Sequence, residues 1–294
     1  TEQAVTLALN RLNNYSPTVG LRTNMLAETM KSPSLIDVLR AVGARTYWFS
    51  AQNRLGAYDS FITAQLAMNA DEARFLCDEP TLAKGLSHHI DGELIDWVRE
   101  TANRADPAKD TVIFLHLIGS HWPTMLDTPP DWPFVAGDYS TISKDPRTNG
   151  IFKAYDRSVS YTDWVLSQFA KAAEQSPFSS AAMFYFSDHS EGLPGGHNFD
   201  ALTPRMTMIP AVFWCSKGYE ERWPETVATL RANRHKVFTN DLAFELICGI
   251  NHITFDGLDE RYQLTSPKYS VTPETARFWQ GRRLKKIVPN LGKR

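Results

Sequence analysis

The segment SDHSEG places Ser187, Asp188, His189, Ser190 and Glu191 in five consecutive positions, directly after the apolar run 181–186. A carboxylate and an imidazole held at the rigid end of a strand are good ligands for zinc, which takes N and O donors in near-tetrahedral sites. The same spacing, with Asp188 three positions before Glu191, is also that of a helix capping box, so the segment alone leaves both readings open. A second polar cluster follows another apolar run. In FLHLIGSHWP, Gly119 and Ser120 deliver His121 beside Trp122, while His116 lies inside the run and reads as a core histidine. The third is Gly195-Gly196-His197-Asn198, a glycine-loosened loop. His197 could face the same cation, bind phosphate oxygens or protonate a leaving group; the bland reading is a surface histidine in a turn. Three histidines and two acids at two strand exits favour a single site. By contrast, His88 and His89, with Asp91 and Glu93 after them, fall on a helical segment where neighbours point in different directions, and a solvated or packed face is expected there.

Such exits need a scaffold. Short continuous apolar runs at 46–49, 111–115, 181–186 and 209–214 have the character of parallel strands buried on both faces. Segments with helical spacing lie between and beyond them, at 34–42, 82–102, 155–173 and 240–248. This alternation predicts an α/β fold, a three-layer α/β/α sandwich with a mostly parallel central sheet, in a single domain over residues 1–294. Ser34, with Asp37 three positions on and Gly43 after the last apolar residues, carries cap chemistry at both ends of one helix. The proline-rich stretch 122–133 is an exposed excursion after a strand. In open sheets of this kind ligands bind outside the carboxyl ends of the strands, where the three polar clusters fall.

Composition narrows the classes of function. With 43% hydrophobic and 22% charged residues over 294 positions, the chain can bury a substantial core, which excludes disorder as its main theme. A net charge of -2 excludes the broad positive field of a nucleic-acid-binding protein. The basic stretch Arg282, Arg283, Lys285 and Lys286 is expected to be a solvated face or tail. Cys77, Cys215 and Cys248 form no CxxC pair and sit in or beside apolar stretches, so buried thiols are expected. No run approaches the roughly 18 apolar residues of a membrane span. No signal peptide opens the chain, and its first residue is Thr1 rather than Met.

Taken together, the motifs TYWFSAQNRLGAYDS, IFLHLIGSHWP, AYDRSVSYTD, SDHSEG with GGHN after it, and IPAVFWCSK resemble the phosphoethanolamine transferases of the Gram-negative envelope, within the alkaline phosphatase and sulfatase superfamily. The resemblance covers nearly the whole chain. It implies an alkaline-phosphatase-like fold and a zinc enzyme that moves phosphoethanolamine from phosphatidylethanolamine, through a phosphothreonine, to lipid A, core oligosaccharide or glucan. The opening TEQAVTLAL is similar to the family's nucleophile segment, which would make Thr1 the nucleophile and a zinc ligand beside Asp188 and His189. His121, Glu191 and His197 would hold the substrate, and Gln52 and Asn53 fall near a substrate-contacting polar pair. Thr6 stands where the family usually has proline and Ser190 where it usually has glycine. The family's first strand, which ends in a glutamate ligand, and its N-terminal membrane helices are absent from this sequence. The resemblance therefore implies a fragment of an enzyme at the periplasmic face of the bacterial inner membrane. Two alternatives stay open: a phosphoglycerol transferase or sulfatase-like hydrolase of the same superfamily, although no CxPxR-type segment is present, and a non-catalytic domain that has lost the metal.

Overall fold

The computed structural model describes residues 2–11, 15, 31–56, 59–77, 90–123, 128–197, 203–278 and 282–283. Its elements are α1 (Glu2–Ala8), α2 (Leu35–Ala41), β1 (Arg45–Asn53), α3 (Ser60–Gln65), β2 (Glu72–Cys77), α4 (Leu94–Arg104), β3 (Thr111–His116), α5 (Pro146–Glu174), β4 (Ala182–Phe186), β5 (Ala211–Cys215), α6 (Lys217–Arg222), α7 (Pro224–Asn233) and α8 (Ala243–Ile250), with a short hairpin of β6 (Arg277–Phe278) and β7 (Arg282–Arg283).

Strand β1 lies between β2 and β3 and is parallel to both, with Trp48 opposite Phe114 and Ser50 opposite His116. Successive side chains of a strand point to opposite faces, and β1 uses both. Trp48 packs on one side with Leu35, Ile36 and Leu39 of α2, Ile62 of α3 and Phe244 of α8. Tyr47, Phe49 and Ala51 pack on the other with Leu94 and Val98 of α4 and Tyr161, Val165 and Phe169 of α5. Helices on both faces explain the unbroken apolar run in β1 and establish the predicted three layers. The expected cap of α2 is present: Asp37 N–H donates to Ser34 Oγ at 3.2 Å and Ser34 N–H to Asp37 Oδ2 at 2.8 Å. Gly43 follows at φ +90°, a left-handed conformation that suits glycine.

The structure corrects several element boundaries. β2 carries no continuous apolar run; its EARFLC pattern is that of a half-exposed edge strand, ion-paired through Glu72 to Arg74 and Arg104. The helix expected over 82–102 begins only at Leu94, after a tight turn over Asp91–Glu93, and residues 82–89 lie outside the described residues. The helix expected over 155–173 is longer, because Asp145 caps it from Arg147 and Thr148 with Pro146 in its first turn. Cys248 is buried as expected, whereas Cys77 and Cys215 are partly exposed, because their strands lie at sheet margins.

The sheet itself is divided. Among the described residues β4 pairs only with β5, antiparallel, and β3 and β4 share no ladder. Between them runs a slot of about 740 Å³, lined by Val112 and Phe114 of β3, Met183 and Phe184 of β4, Phe169 of α5 and Ile250 of α8. These side chains have interior chemistry, and α8 spans the two sheet pieces, packing Phe244 and Cys248 against one and Leu246 and Ile250 against the other. No helix among the described residues is long and apolar enough to cross a membrane.

Candidate metal centre

β3 and β4 end at the same mouth of the slot, where both strand exits carry their polar residues. After β4 the backbone does not enter a helix, so the capping-box reading of Asp188 and Glu191 is excluded. The exit is tied down instead. Ser187 Oγ donates to the His189 carbonyl at 2.6 Å, Asp188 Oδ1 accepts the His189 N–H at 2.9 Å, and Asn240 Nδ2 donates to the Asp188 carbonyl at 3.0 Å. The following loop folds back on itself, with Gly192 N–H donating to Gly196 O and Gly195 N–H to Gly192 O, both at 3.1 Å. Gly196 adopts φ +71°, and a Cβ there would stand 3.2 Å from Trp122 Cγ. That close approach returns His197 to the Asp-His pair.

The three histidines at this mouth cluster tightly. Ring centroids are 4.3 Å apart for His189 and His197, 4.9 Å for His121 and His197, and 6.3 Å for His121 and His189. Each sets its Nδ1 against an oxygen: His121 against the Trp122 carbonyl at 2.6 Å, His189 against the Ser190 carbonyl at 3.3 Å, and His197 against the Glu191 carboxylate at 3.1 Å. Oxygens that only accept require a proton on each Nδ1, so Nε2 is the nitrogen of each ring that can offer a lone pair. Burial first, and His197 after it, hold His189 below the usual imidazole range despite the opposing pull of Asp188, which favours the neutral, ligating form.

Donor chemistry and spacing fit zinc. Asp188 Oδ2 and His189 Nε2 are 3.5 Å apart, and bonds of about 2.1 Å in a tetrahedral site put neighbouring donors about 3.4 Å from one another. Donor atoms of His189, Glu191 and His197 also all lie within 4.8 Å of one another. Glu191 is 8% exposed, and its Oε1 accepts the Trp122 N–H at 3.1 Å besides facing His197. That geometry suits an orienting partner for His197.

Other sequence candidates fall as follows. Gln52, at the end of β1, donates its Nε2 to the Leu117 carbonyl at 2.7 Å, which commits its amide to the loop before His121. Asn53 follows it, with a buried Oδ1 that has no hydrogen-bond partner among the described residues. His116 packs against Trp48, with Nδ1 3.2 Å from Ser50 Oγ, and burial pushes its pKa down to about 4. Thr1, His88, His89 and Asn198 lie outside the described residues. Sequence reasoning missed Tyr155 of α5, whose hydroxyl hydrogen-bonds the Ser190 side chain and is raised by burial. It set Asp91 on a helical face with no role in the site, whereas Asp91 stands in the turn before α4, is 3% exposed and holds the loop before His121. The Asp91-Gly92 pair inside the expected helical stretch was the available signal, but neither the burial of Asp91 nor its partners show in one dimension.

The family model described as Sulfatase matches residues 1–246, most of the chain. The chain belongs to the sulfatase family. A curated relative of this sulfatase-family chain, the phosphoethanolamine transferase EptC of Escherichia coli (strain K12), is 23% identical over 269 residues, which cover 87% of the chain and 44% of that protein. The chain thus spans less than half of that relative's length. Among solved structures, the C-terminal periplasmic domain of EptC from Escherichia coli in complex with Zn aligns with a TM-score of 0.76 at 20% identity, covering 92% of this chain and 72% of the other. A protein of the alkaline phosphatase superfamily from Vibrio parahaemolyticus aligns with a TM-score of 0.59 at 12% identity, covering 94% and 60%. At these identities the structural likeness shows the fold, which is alkaline-phosphatase-like.

Proposed function

We propose that the chain is the catalytic part of a zinc-dependent phosphoethanolamine transferase that takes the group from phosphatidylethanolamine and passes it to a lipopolysaccharide or glycan acceptor of the envelope. The observation that carries this reading is the meeting of His121 from one strand exit with His189 and His197 from another, ring centroids 4.3–6.3 Å apart, with Asp188 beside His189 and Glu191 beside His197. Relatives named as phosphoethanolamine transferases support it.

Asp188 and His189 would hold the zinc with the hydroxyl of Thr1, and bound zinc supplies a Lewis acid that makes that hydroxyl nucleophilic near neutral pH. Thr1 Oγ1 attacks the donor phosphorus, its P–O bond forms, the bond to the diacylglycerol oxygen breaks, and the hydroxyl proton passes to solvent. His197, held through Nδ1 by Glu191, turns Nε2 to the reacting group and exchanges a proton with the departing oxygen. His121 faces the non-bridging oxygens, and Gln52, through its hold on the Leu117 carbonyl, supports the loop that carries it. An acceptor oxygen then displaces Thr1 by the reverse geometry.

In the whole protein this single domain carries one further strand, seated in the slot between β3 and β4, and membrane helices that place the site at the periplasmic face of the inner membrane. Two facing strand edges separated by an apolar slot support the further strand. Incubating zinc-loaded, full-length enzyme with phosphatidylethanolamine and measuring its intact mass tests the chemistry. An adduct of one phosphoethanolamine on Thr1 is expected, and its absence from protein of confirmed zinc content overturns the covalent step.

A further inference from the structure

The geometry points to Asp91 as a positioning residue of the site: its carboxylate sets the turn that presents His121. Asp91 is 3% exposed and accepts two consecutive backbone N–H groups, Ile118 on Oδ1 and Gly119 on Oδ2, both at 2.8 Å. Gly119 adopts φ +65°, the left-handed step that turns the chain from β3 toward Ser120 and His121. One carboxylate therefore closes the turn on both sides of the Ile118–Gly119 peptide, two residues before the imidazole.

The brace is itself anchored. Gly92 N–H donates to the hydroxyl of Tyr161 of α5 at 3.1 Å, and a Cβ on Gly92 would come within 2.3 Å of that oxygen, so position 92 must be glycine for the contact to exist. On the other side, Ile90 N–H donates to Glu93 Oε1 at 3.0 Å. Asp91 is thus fixed between α4 and α5, and its reach to the β3 exit is fixed with it. Further along the same loop, Gln52 holds the Leu117 carbonyl and Glu191 the Trp122 N–H, so the stretch 117–122 is pinned at four of its six residues.

A carboxylate is a costly choice for a merely structural prop at this place. Burial pushes Asp91 up to about 6, and what pulls it back is the pair of backbone N–H groups rather than a cation. A neutral side chain of the same size would avoid the desolvation penalty, but an amide offers one acceptor where two N–H groups need two. What the charge secures is the order of a loop whose displacement by about 1 Å can cost a site of this kind about 100-fold in rate.

The inference rests on His121 acting on the phosphoryl group as proposed above, and its test separates the two. In full-length, zinc-loaded protein, Asp91→Asn is expected to lower kcat about 100-fold with KM within about twofold and zinc content unchanged. In a cycle with His121→Ala, the double variant is expected to be no slower than His121→Ala alone, because both changes remove one device. Wild-type kcat in Asp91→Asn, or full additivity in the cycle, overturns the inference. Amide exchange on the wild-type protein serves even where the variant does not fold: Ile118 and Gly119 N–H should exchange about 100-fold more slowly than Ser120 N–H, and equal rates overturn the brace. Absence of transfer by wild-type enzyme, with this protection present, removes the proposed reaction and leaves the brace standing.

Discussion

Glu191 Oε1 stands 3.1 Å from His197 Nδ1, and the same oxygen receives the Trp122 N–H at 3.1 Å. One buried carboxylate thereby orients an imidazole delivered by the loop after β4 and fastens it to the chain that leaves β3. The two strand exits are a single unit because of it.

Replacing Glu191 should uncouple them. Glu191→Gln keeps an oxygen for one N–H but not the charge that fixes the His197 ring, and outer partners of this kind are worth about 10- to 100-fold in activity or metal affinity. A fall in turnover of that size is expected, with the unfolding temperature within a few degrees of wild type. Turnover equal to wild type would show that the pair is incidental.

Asp188 and His189 should decide metal content. Zinc added at about 100 times its dissociation constant stabilises a protein that binds it only when folded by about 2.7 kcal/mol. Wild-type protein should therefore melt higher with zinc than after chelation, and Asp188→Ala or His189→Ala should lose that increment together with the bound metal seen by elemental analysis. An unchanged zinc-dependent shift in both variants would place the metal elsewhere.

Gly196 should tolerate no side chain. At φ +71° an L-residue is strained by about 1–2 kcal/mol, and the added Cβ would press on the Trp122 ring 3.2 Å away. Gly196→Ala is expected to lose about that much stability in urea unfolding, and more in activity, since His197 is the next residue. A variant as stable and as active as wild type would refute the strain argument.

Asp71 gives a prediction in pH. It accepts Thr46 N–H at 2.9 Å and Thr46 Oγ1–H at 3.1 Å, and lies 3.3 Å from Arg40 and 3.5 Å from Arg45. Burial alone would raise its carboxyl, but the two Thr46 hydrogen bonds and then the guanidinium groups of Arg45 and Arg40 outweigh it, so it titrates below its ordinary 3.8. A depressed carboxylate contributes stability that is present above 3.8 and lost as pH falls through the native-state value. Asp71→Ala should cost about 1–3 kcal/mol near pH 7, mostly from Thr46 donors left without an acceptor, and the gap from wild type should narrow at strongly acidic pH by the part that depends on the charge. A gap that stays constant with pH would assign the loss to packing instead.

Much of this was legible in one dimension where the determinant is local. The apolar runs at β1, β3 and β4 declare themselves because both faces are covered. The Ser34 and Asp37 cap needs only residues three apart. Strand β2 escaped because an edge strand carries Glu72 and Arg74 outward and breaks the run. The start of α4 was set by Tyr161, 69 positions away, through Gly92.

The sequence by itself determined which residues could do chemistry, SDHSE, GSH and GGH at the ends of runs, because side-chain type and strand exit are local properties. Only the tertiary structure decided that Glu191 orients His197, that Gln52 serves Leu117 and that Asp91 sits under the His121 turn. Each of those assignments depends on hydrogen bonds of 2.7–3.1 Å, mostly between residues distant in the chain, and such distances exist only once the sheet and its two helical layers have closed.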